Sequence, residues 1–535
     1  MLARLALSAR RGRRVIARPL SASSSSPPPP EPQPYARSRA IPLAMQHAIA
    51  SGAISEDTPV AMFIDLDRLR SKAAAMHAAF PPTVDITHAF AVKANPLAGV
   101  LHEVQAMGGG AECASMFEVE HALRQGVPPA KIIFDSPCKT RPELLRCFEL
   151  GVVINLDCME EIERVARILE VEVEALIHYP DPEDIDEDDS IDALEAVLNP
   201  MHIEGGGAKI GVRVNPQIGA GSIAAVSTAT ATSKFGVGLV DYEADLIAAF
   251  ERYDWLTGLH CHVGSQGCEL SLLVEGVRRL SKLAEDINGS VGRAQVSWLD
   301  LGGGLPMNYG TDEERPTYEE YAAALLEAVP EVRSSYIQHA SCVVSPSRCV
   351  GTTPRLSLVC LVRFAGPLLW LRCVGPLLSA TSFSSSLIHT HTHTHTLPSP
   401  PDQVFEEGRY KLYTEFGRSL VTKAGWLGTR IEYTKVAGGQ HIATCHVGSN
   451  MLLRTAYFPE TWRHEMTVLD ALGGVKPLPG ETGAEAGAAA DHVEEELIPY
   501  NIAGPLCFSG DQIALRRPLP RIAAGDHLVI HDCGG

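Results

Sequence analysis

Eight short runs of apolar and β-branched residues alternate with helical patterns along most of this chain. The runs are Ile86–Val92, Gly110–Ala114, Lys131–Asp135, Val152–Leu156, Ile210–Val214, Leu256–His262, Val296–Leu301 and Tyr410–Glu415. Apolar residues spaced i, i+3, i+4 fill the intervals, as in Met116–Leu123, Pro142–Leu150 and Glu160–Leu169. Alternating strands and helices form a parallel sheet, so eight units predict an α/β fold of the closed (β/α)8 TIM-barrel type.

The pattern changes after Gly417. Four segments have the composition of strands, with no regular helical spacing between most of them: Ala424–Tyr433, His441–His446, Ile502–Cys507 and Asp526–His531. A separate, mainly antiparallel β domain is therefore predicted to follow the barrel. We assign residues 59–418 to the barrel and 419–535 to the β domain, and we expect residues 40–58 to pack on the β domain.

The N-terminal segment has the composition of a targeting sequence. Residues 1–30 contain six arginines, the run Ser23–Ser26 and no acidic residue, which is typical of an organelle transit peptide. The run Pro27–Pro30 would then be a stiff spacer within a leader of residues 1–35. A mitochondrial or plastid location is expected, and a simple tail on a cytoplasmic protein is the alternative.

Residues 333–403 interrupt the predicted barrel with a low-complexity insert. A membrane span is disfavoured because Arg363 and Arg372 divide its apolar stretch. A metal site in the repeat His389–His395 is disfavoured because the alternating histidines lack neighbouring groups to orient them. We favour a third interpretation, in which the insert is translated intron sequence and carries no chemistry.

Composition excludes several classes of function. The 64 acidic residues outnumber the 45 basic ones, giving a net charge of −19, so nucleic-acid binding is not expected. The 13 cysteines show no CxxC spacing, which favours free thiols in a reducing compartment over a disulfide framework. No membrane partner and no metal site are expected.

Chemically distinctive residues follow the ends of several predicted strands: Lys93, His262, Gly302–Gly304 and Glu415. In a (β/α)8 barrel this rim is where active sites form. Each residue alone has a simpler explanation, because a lysine can be solvated, a histidine can belong to the core and glycines can form a turn. Their occurrence together on one rim predicts a site.

These residue types suit one cofactor. A desolvated lysine such as Lys93 forms a Schiff base with a carbonyl. The glycine loop and the turn at Ser265 offer donors to a phosphate. The ring of His262 can stack on a flat ring, and the carboxylate of Glu415 can keep a pyridine nitrogen protonated, which makes that ring an electron sink. The sequence therefore predicts a pyridoxal phosphate site.

At this point the chain resembles the barrel-type pyridoxal phosphate decarboxylases that act on ornithine, arginine and diaminopimelate, and is most similar to the diaminopimelate branch. Eight motifs occur in that family's order, from about residue 60 to the end. They are Ala91–Asn95, Ala111–Ser115, Lys209–Pro216, Ser233–Gly236, His262–Gln266, Asp300–Gly304, Glu415–Arg418 and Gly504–Asp511.

The resemblance implies a role for each cofactor residue. Lys93 matches the Schiff-base lysine, His262 the stacked ring and Glu415 the partner of the ring nitrogen. Arg213 lies on a strand that reaches the cofactor in this family. The resemblance also implies a set of residues around the phosphate, namely Ser265, Gly302, Gly303, Gly304 and Arg418.

The resemblance further implies a homodimer that decarboxylates an amino acid. Cys507 matches a catalytic cysteine donated across the dimer interface, and Arg454 and Tyr457 resemble contacts to a substrate carboxylate. Two departures stand out. Phe508 replaces a glutamate that contacts the far amino group in diaminopimelate enzymes, and the family's Gly-Ala-Tyr stretch is not found after Gly535, so the β domain is expected to be truncated.

The substrate expected from these motifs is meso-diaminopimelate, with lysine as product. Gln266 and the loop Ser233–Gly236 favour that branch, whereas Cys113–Ser115 favours the ornithine branch. Decarboxylation of ornithine, lysine or arginine for polyamine synthesis remains an alternative. So do a racemase on the same barrel and a non-catalytic, decarboxylase-like binding protein.

Overall fold

The computed structural model describes residues 40–177, 208–223, 226–309, 311, 314–329, 410–459, 462–478 and 496–535. Its strands, in chain order, are β1 Val60–Ile64, β2 Ile86–Ala91, β3 Gly110–Cys113, β4 Ile132–Phe134, β5 Val153–Leu156, β6 Ile210–Asn215, β7 Val237–Gly238, β8 Leu256–His260, β9 Trp298–Asp300, β10 Lys411–Thr414, β11 Gly425–Ala437, β12 Gln440–Cys445, β13 Met466–Leu469, β14 Ile498–Ala503, β15 Gln512–Leu519 and β16 His527–Ile530.

Eight parallel strands form a closed barrel, as the sequence predicts. Their order is β5-β4-β3-β2-β10-β9-β8-β6, and pairing of β5 with β6 closes the ring. Each strand overlaps one of the eight predicted runs. The carboxyl ends of all eight strands therefore lie on one rim.

Helices surround the barrel in the intervals where helical spacing predicts them. In chain order the described helices are α1 Ala40–Ala50, α2 Leu66–Ala78, α3 Ala98–Ala106, α4 Met116–Arg124, α5 Arg141–Leu150, α6 Met159–Ile177, α7 Leu239–Arg252, α8 Leu270–Val291, α9 Tyr318–Ala328, α10 Arg418–Val421 and α11 Leu453–Tyr457. Ser115 caps the N-terminus of helix α4, since its hydroxyl accepts the N–H of Glu118. This cap fixes the turn that follows β3 on the rim.

One large side chain, that of Trp298, fills the interior of the barrel. Trp298 packs with Ala89, Ile133, Val153 and Tyr413 inside the ring. Its indole lies directly against Gly211 and Gly258, where a β-carbon would overlap the ring. The glycines in β6 and β8 therefore make room for the tryptophan, which fills the barrel below the carboxyl rim.

The second domain is a sheet of order β13-β16-β11-β12-β14-β15, with β1 paired antiparallel to β11. It is mainly antiparallel, as predicted, and β12 and β14 form a parallel pair. Two corrections arise. Strand β1 belongs to this sheet although residue 59 was assigned as the start of the barrel. The predicted strand Ile502–Cys507 ends at Ala503, because Pro505 has no N–H and Gly504 donates to Asp511 instead.

Residues from the segment 40–58 pack on the β domain. Met45, Ala48 and Ile54 form one cluster with Trp426 and Val529. Glycine at position 428 in β11 admits this contact, because a β-carbon there would approach the Met45 sulfur within 2.6 Å. Buried apolar contacts thus attach α1 to the sheet.

Two predicted segments, 1–35 and 333–403, lie outside the described residues. Within the described part of the chain, no helix combines the length and apolar character needed to cross a membrane.

A buried histidine beneath α2 leads to a pH-dependent stability. His88 on β2 is 2% exposed, and its Nδ1 lies 2.7 Å from the Thr414 hydroxyl. Burial, together with the nearby His77, lowers the pKa of His88 from 6.5 to about 3. The unfolded chain therefore binds this proton first, so the contribution of His88 to stability is present above pH 6.5 and is lost as the pH falls toward 3.

We expect His88→Gln to reduce the acid sensitivity of folding. Between about pH 6.5 and about pH 5, the free energy of unfolding of the parent should fall by about 2 kcal/mol more than that of the variant. Urea unfolding curves at both pH values measure this difference. The exposed His102 provides the control variant, His102→Gln. The same change in the free energy of unfolding with pH for the parent and for His88→Gln would contradict the assignment.

Candidate active site

A cavity of about 580 Å³ lies at the carboxyl rim of the barrel, where the β domain meets it. Most of the residues singled out in the sequence line it. They are Lys93, Arg213, His262, Ser265, Gly304, Glu415, Arg418 and Arg454. The structure therefore brings together residues that are up to 361 positions apart in the chain, from Lys93 to Arg454.

Lys93 lies on the short 3-10 turn Val92–Ala94 that follows β2. Its side chain is 52% exposed, and its Nζ donates to both oxygens of Glu112 at 2.7 Å. Partial desolvation of the amine in the cavity favours its neutral form, but the carboxylates of Glu112 and Glu415 outweigh this effect and raise the pKa of Lys93. Burial raises the pKa of Glu112 to about 7, with Lys93 opposing the rise. The amine at the cavity floor is thus held by a buried carboxylate.

Glu415 follows β10 and belongs to a buried group of charges. Its Oε2 lies 3.3 Å from Nε2 of His260, whose Nδ1 lies 3.6 Å from Asp135. These are charge contacts, since neither ring nitrogen of His260 satisfies hydrogen-bond geometry. Asp135 in turn accepts a 2.6 Å hydrogen bond from Arg213. Two cations and two carboxylates therefore compensate one another beneath the cavity.

The electrostatics of this group keep Glu415 ionised. Burial alone would raise the pKa of Glu415, but the neighbouring His260 outweighs it and lowers the pKa below its usual value. The pKa of His260 is raised well above its ordinary value, because Glu415 and Asp135 overcome the effect of burial. Burial, reinforced by Glu415, instead raises the pKa of Asp300 well above its usual value.

His262 presents a neutral ring to the cavity. Burial, with Arg213 and Lys93 adding to it, lowers the pKa of His262 to about 3 despite the nearby Glu415. Its Nδ1 accepts the N–H of Gly303 at 3.1 Å, which places the ring proton on Nε2. Thr228 donates to the backbone carbonyl of His262 and holds this residue from behind. The result is a fixed, uncharged aromatic surface.

The turn Gly302–Gly304 passes too close to its neighbours for any side chain. Gly302 and Gly304 have φ values of +65° and +96°. A β-carbon on Gly303 would overlap the carbonyl oxygen of Glu415, and one on Gly304 would overlap that of Gly264. Neither Gly302 nor Gly303 lines the cavity, but the carbonyl of Gly302 accepts the N–H of Glu415 at 2.8 Å. The turn therefore also positions Glu415.

Two arginines flank one tryptophan on the β-domain side of the cavity. The guanidinium of Arg418 lies 5.0 Å from the ring centre of Trp462, and that of Arg454 lies 5.7 Å from it. Nη1 of Arg418 donates to the Tyr309 hydroxyl at 3.2 Å, while its Nε is buried without a partner among the described residues. Positive charge is thus concentrated at this wall of the cavity.

Two predicted site residues lie away from the cavity of their own chain. Cys507 is exposed on the loop between β14 and β15. Tyr457, at the end of α11, is 65% exposed and does not line the cavity. Their predicted roles remain predictions.

Three residues of the site were not singled out in the sequence: Glu112, Asp135 and His260. All three are at most 4% exposed and lie on or just after barrel strands. The available signal was a titratable residue inside, or directly after, an apolar strand. Such a residue is rarely buried without a partner.

Comparison with known proteins agrees with this geometry. The sequence profile of the family described as "Pyridoxal-dependent decarboxylase, pyridoxal binding domain" matches residues 66–351, more than half of the chain. The chain belongs to this family. The match to a pyridoxal-dependent family confirms the cofactor expected from the residues.

Relatives of known name match most of the length of this pyridoxal-dependent decarboxylase. It is 26% identical to diaminopimelate decarboxylase of Pseudomonas aeruginosa over 83% of this chain and 75% of the relative. The structure is similar to that of diaminopimelate decarboxylase from Helicobacter pylori complexed with L-lysine. That match has a TM-score of 0.59 and 19% identity and covers 91% and 88% of the two chains. Lysine/ornithine decarboxylase of Vibrio vulnificus matches with a TM-score of 0.57 and 17% identity, over 93% of each chain.

The residues of the cavity fit pyridoxal phosphate. Lys93 provides the amine for the aldehyde. Oε1 of Glu415 is buried without a hydrogen-bond partner in the described structure, and it can accept the N–H of a protonated ring. Gly304 and Ser265 line the cavity together with Arg418, and the partnerless Nε of Arg418 is a further donor for an anion.

Proposed function

We propose that this protein decarboxylates meso-diaminopimelate to L-lysine with pyridoxal phosphate. The observation that carries the proposal is the single cavity lined by Lys93, His262, Glu415 and Arg454 in a chain of this family. Support for the substrate comes from the curated relatives, several of which are named diaminopimelate decarboxylase. The residues of the cavity supply an amine, an aromatic surface and anion-binding groups, which this reaction needs.

Bound pyridoxal phosphate would supply an electron sink for the pair of electrons left when carbon dioxide departs. Lys93 would hold the cofactor through its aldehyde and exchange with the substrate amine. Glu415, kept ionised by His260, would hold the proton on the ring nitrogen. Ser265, Gly304 and Arg418 would bind the phosphate. Gly303, which donates its N–H to His262, would orient that ring, and Gly302 and Arg213 would support the site from beneath.

Three residues of the β domain would serve the substrate. Arg454 would bind a carboxylate at the cavity wall, and Tyr457 would add a contact beside it. Cys507 would return a proton to the α-carbon in the active site of a second subunit. This assignment requires a homodimer, because Cys507 lies on an exposed loop that does not line the cavity of its own chain.

The distribution of exposed apolar residues supports a homodimer. On the barrel rim, Leu97 and Phe117 are exposed. On the β domain, Tyr457, Phe458 and Phe508 are exposed near the predicted substrate residues. Contiguous exposed apolar patches mark interaction surfaces, and we propose that these two groups form such a surface. Pairing the barrel rim of one subunit with the β domain of the other would cover both groups and bring Cys507 to the partner's cavity.

We also propose that residues 1–35 direct the protein to an organelle, a mitochondrion or a plastid. The six arginines and the serine run of an acid-free segment support import. A fluorescent protein fused after residue 39 should co-localise with an organelle marker. Diffuse cytoplasmic fluorescence would contradict the proposal.

Carbon dioxide release from four amino acids tests the proposed activity. The full chain, loaded with pyridoxal phosphate, is incubated with meso-diaminopimelate, L-ornithine, L-lysine or L-arginine. We expect equimolar carbon dioxide and L-lysine from diaminopimelate, with a kcat/KM at least about tenfold above that for the other three. Preference for ornithine, lysine or arginine would contradict the substrate. Inversion of configuration without carbon dioxide would indicate a racemase, and no reaction would favour a binding protein.

A further inference from the structure

One buried carboxylate joins two segments of the β domain. Asp511 is 3% exposed although it lies between β14 and β15. Its Oδ1 accepts the N–H of Ser449 at 2.6 Å, and its Oδ2 accepts the N–H of Leu506 at 2.7 Å. Its backbone carbonyl also accepts the N–H of Gly504 at 2.8 Å. One residue thus satisfies three backbone donors from two separate loops.

The surroundings are shaped closely around this carboxylate. A β-carbon on Gly448 or on Gly504 would overlap the carboxylate oxygens of Asp511. The two glycines also face each other, since a β-carbon on Gly448 would lie 2.7 Å from the Cα of Gly504. Neither glycine has the positive φ that would by itself require glycine. Glycine is therefore required at both positions because a side chain there would overlap the Asp511 carboxylate.

Each of the two joined segments leads to a residue of the proposed reaction. The segment at Ser449 continues directly into α11, which carries Arg454 at the cavity wall. The segment at Leu506 carries Cys507 as its next residue. Arg454 faces the cavity of its own chain, whereas Cys507 does not.

We propose that Asp511 is a positioning residue that fixes Arg454 and Cys507 relative to each other. This inference rests on the proposed function, in which Arg454 binds substrate in one subunit and Cys507 acts in the other. One carboxylate then connects the two active sites of the homodimer. Loss of the hydrogen bond to Ser449 or of the one to Leu506 shifts the two loops relative to each other. Substrate binding by Arg454 in one site and proton return by Cys507 in the neighbouring site are then both disturbed.

Thiol reactivity tests this proposal without relying on enzyme activity. In Asp511→Asn an NH2 group replaces one acceptor and faces a backbone N–H, so one hydrogen bond is lost. We expect iodoacetamide to alkylate Cys507 at a rate that differs from the parent by at least about fivefold, given the 10- to 100-fold scale of one such bond. The exposed Cys138 on the barrel is an internal reference and should react at an unchanged rate.

Asp526 offers a matched control in the same domain. It is also buried, and its Oδ2 accepts the N–H of Ala523 at 2.6 Å and pairs with Lys476. Asp526→Asn should leave the alkylation of Cys507 unchanged, because its loop leads to neither Arg454 nor Cys507. An equal effect of both variants, or an unchanged rate in Asp511→Asn, would overturn the proposal.

Double-mutant cycles separate positioning from general stability. Asp511→Asn should lower kcat/KM by about 10- to 100-fold and change both kcat and KM. In combination with Cys507→Ala or with Arg454→Ala, its effect should be less than multiplicative, because each pair acts as a unit. Fully multiplicative effects in both cycles would overturn the proposal.

A second variant perturbs the Asp511 carboxylate by changing a residue that packs against it. Gly504→Ala places a methyl group against Asp511 and should reproduce the alkylation change. Unfolding of both variants while Asp526→Asn stays folded would make Asp511 a stability residue and overturn the proposal. A parent protein that releases no carbon dioxide, yet shows the alkylation difference, would contradict the proposed function and leave the link between the two loops in place.

Discussion

Lys93→Arg is expected to abolish decarboxylation while leaving the fold intact. Arginine keeps the positive charge opposite Glu112, which Lys93 contacts at 2.7 Å. A guanidinium stays protonated and cannot bond covalently to an aldehyde. We expect kcat to fall by more than about 10³-fold, since the group removed is the one that reacts. Carbon dioxide release measures the loss.

Borohydride reduction provides the second readout for Lys93. In the parent, reduction should attach the cofactor irreversibly to the peptide that contains Lys93, and in Lys93→Arg no such adduct should form. Lys131, a half-buried lysine outside the cavity that donates to the Gly108 carbonyl, gives the control variant Lys131→Arg. Near-parental turnover in Lys93→Arg would reduce the role of Lys93 to electrostatics and contradict the assignment.

Most of the barrel could be predicted from the sequence, because its strands are short apolar runs separated by amphipathic helices. The strands of the β domain were harder to predict from the sequence. Strand β1 pairs with β11, far along the chain, so its place in the second sheet depends on a long-range pairing that local spacing does not contain. All four residues of strand β13, Met466–Leu469, are buried, so the strand lacks the alternation of buried and exposed positions that marks a half-exposed strand.

The candidate site was predicted as far as residue type and strand ends allowed. Lys93 and Glu415 stand out because a charge follows an apolar strand. The role of Glu112 depends on the register of two strands. Strand β2 pairs with β3 so that Ala91 is opposite Glu112, and this pairing brings the Glu112 carboxylate to Lys93. Register is a property of the closed sheet, and neither strand encodes it alone.

The glycine positions show the same division between local and long-range information. Gly303 and Gly304 could be predicted as a turn, but they must be glycine because the carbonyl oxygens of Glu415 and Gly264, in loops that follow other strands, lie against them. Local spacing does not show why Gly448 and Gly504 must be glycine, since the group that lies against both is the Asp511 carboxylate. Close approach between distant segments therefore explains the part of the site that sequence spacing could not predict.

Glu415→Ala is expected to cause the second large loss of activity. Glu415 is 3% exposed and lies 3.3 Å from His260, whose pKa it helps to raise. Removing one partner of a buried ion pair typically costs about 3–5 kcal/mol. Expressed fully in the barrier, that cost is roughly two to four powers of ten in kcat. The rate of decarboxylation should fall because no carboxylate then holds the proton on the cofactor ring.

The control and the second readout separate this role from general destabilisation. Glu161 is also buried, and it accepts the N–H of Asp157 on the same rim without lining the cavity. Glu161→Gln should therefore lower stability more than turnover, whereas Glu415→Ala should still form the borohydride adduct at Lys93 but release carbon dioxide slowly. Turnover of Glu415→Ala within about threefold of the parent would contradict the assignment, because a threefold change is well under 1 kcal/mol in the barrier. Loss of the adduct together with turnover would instead place Glu415 in cofactor binding, since an acid that only tunes the ring has no part in attaching it.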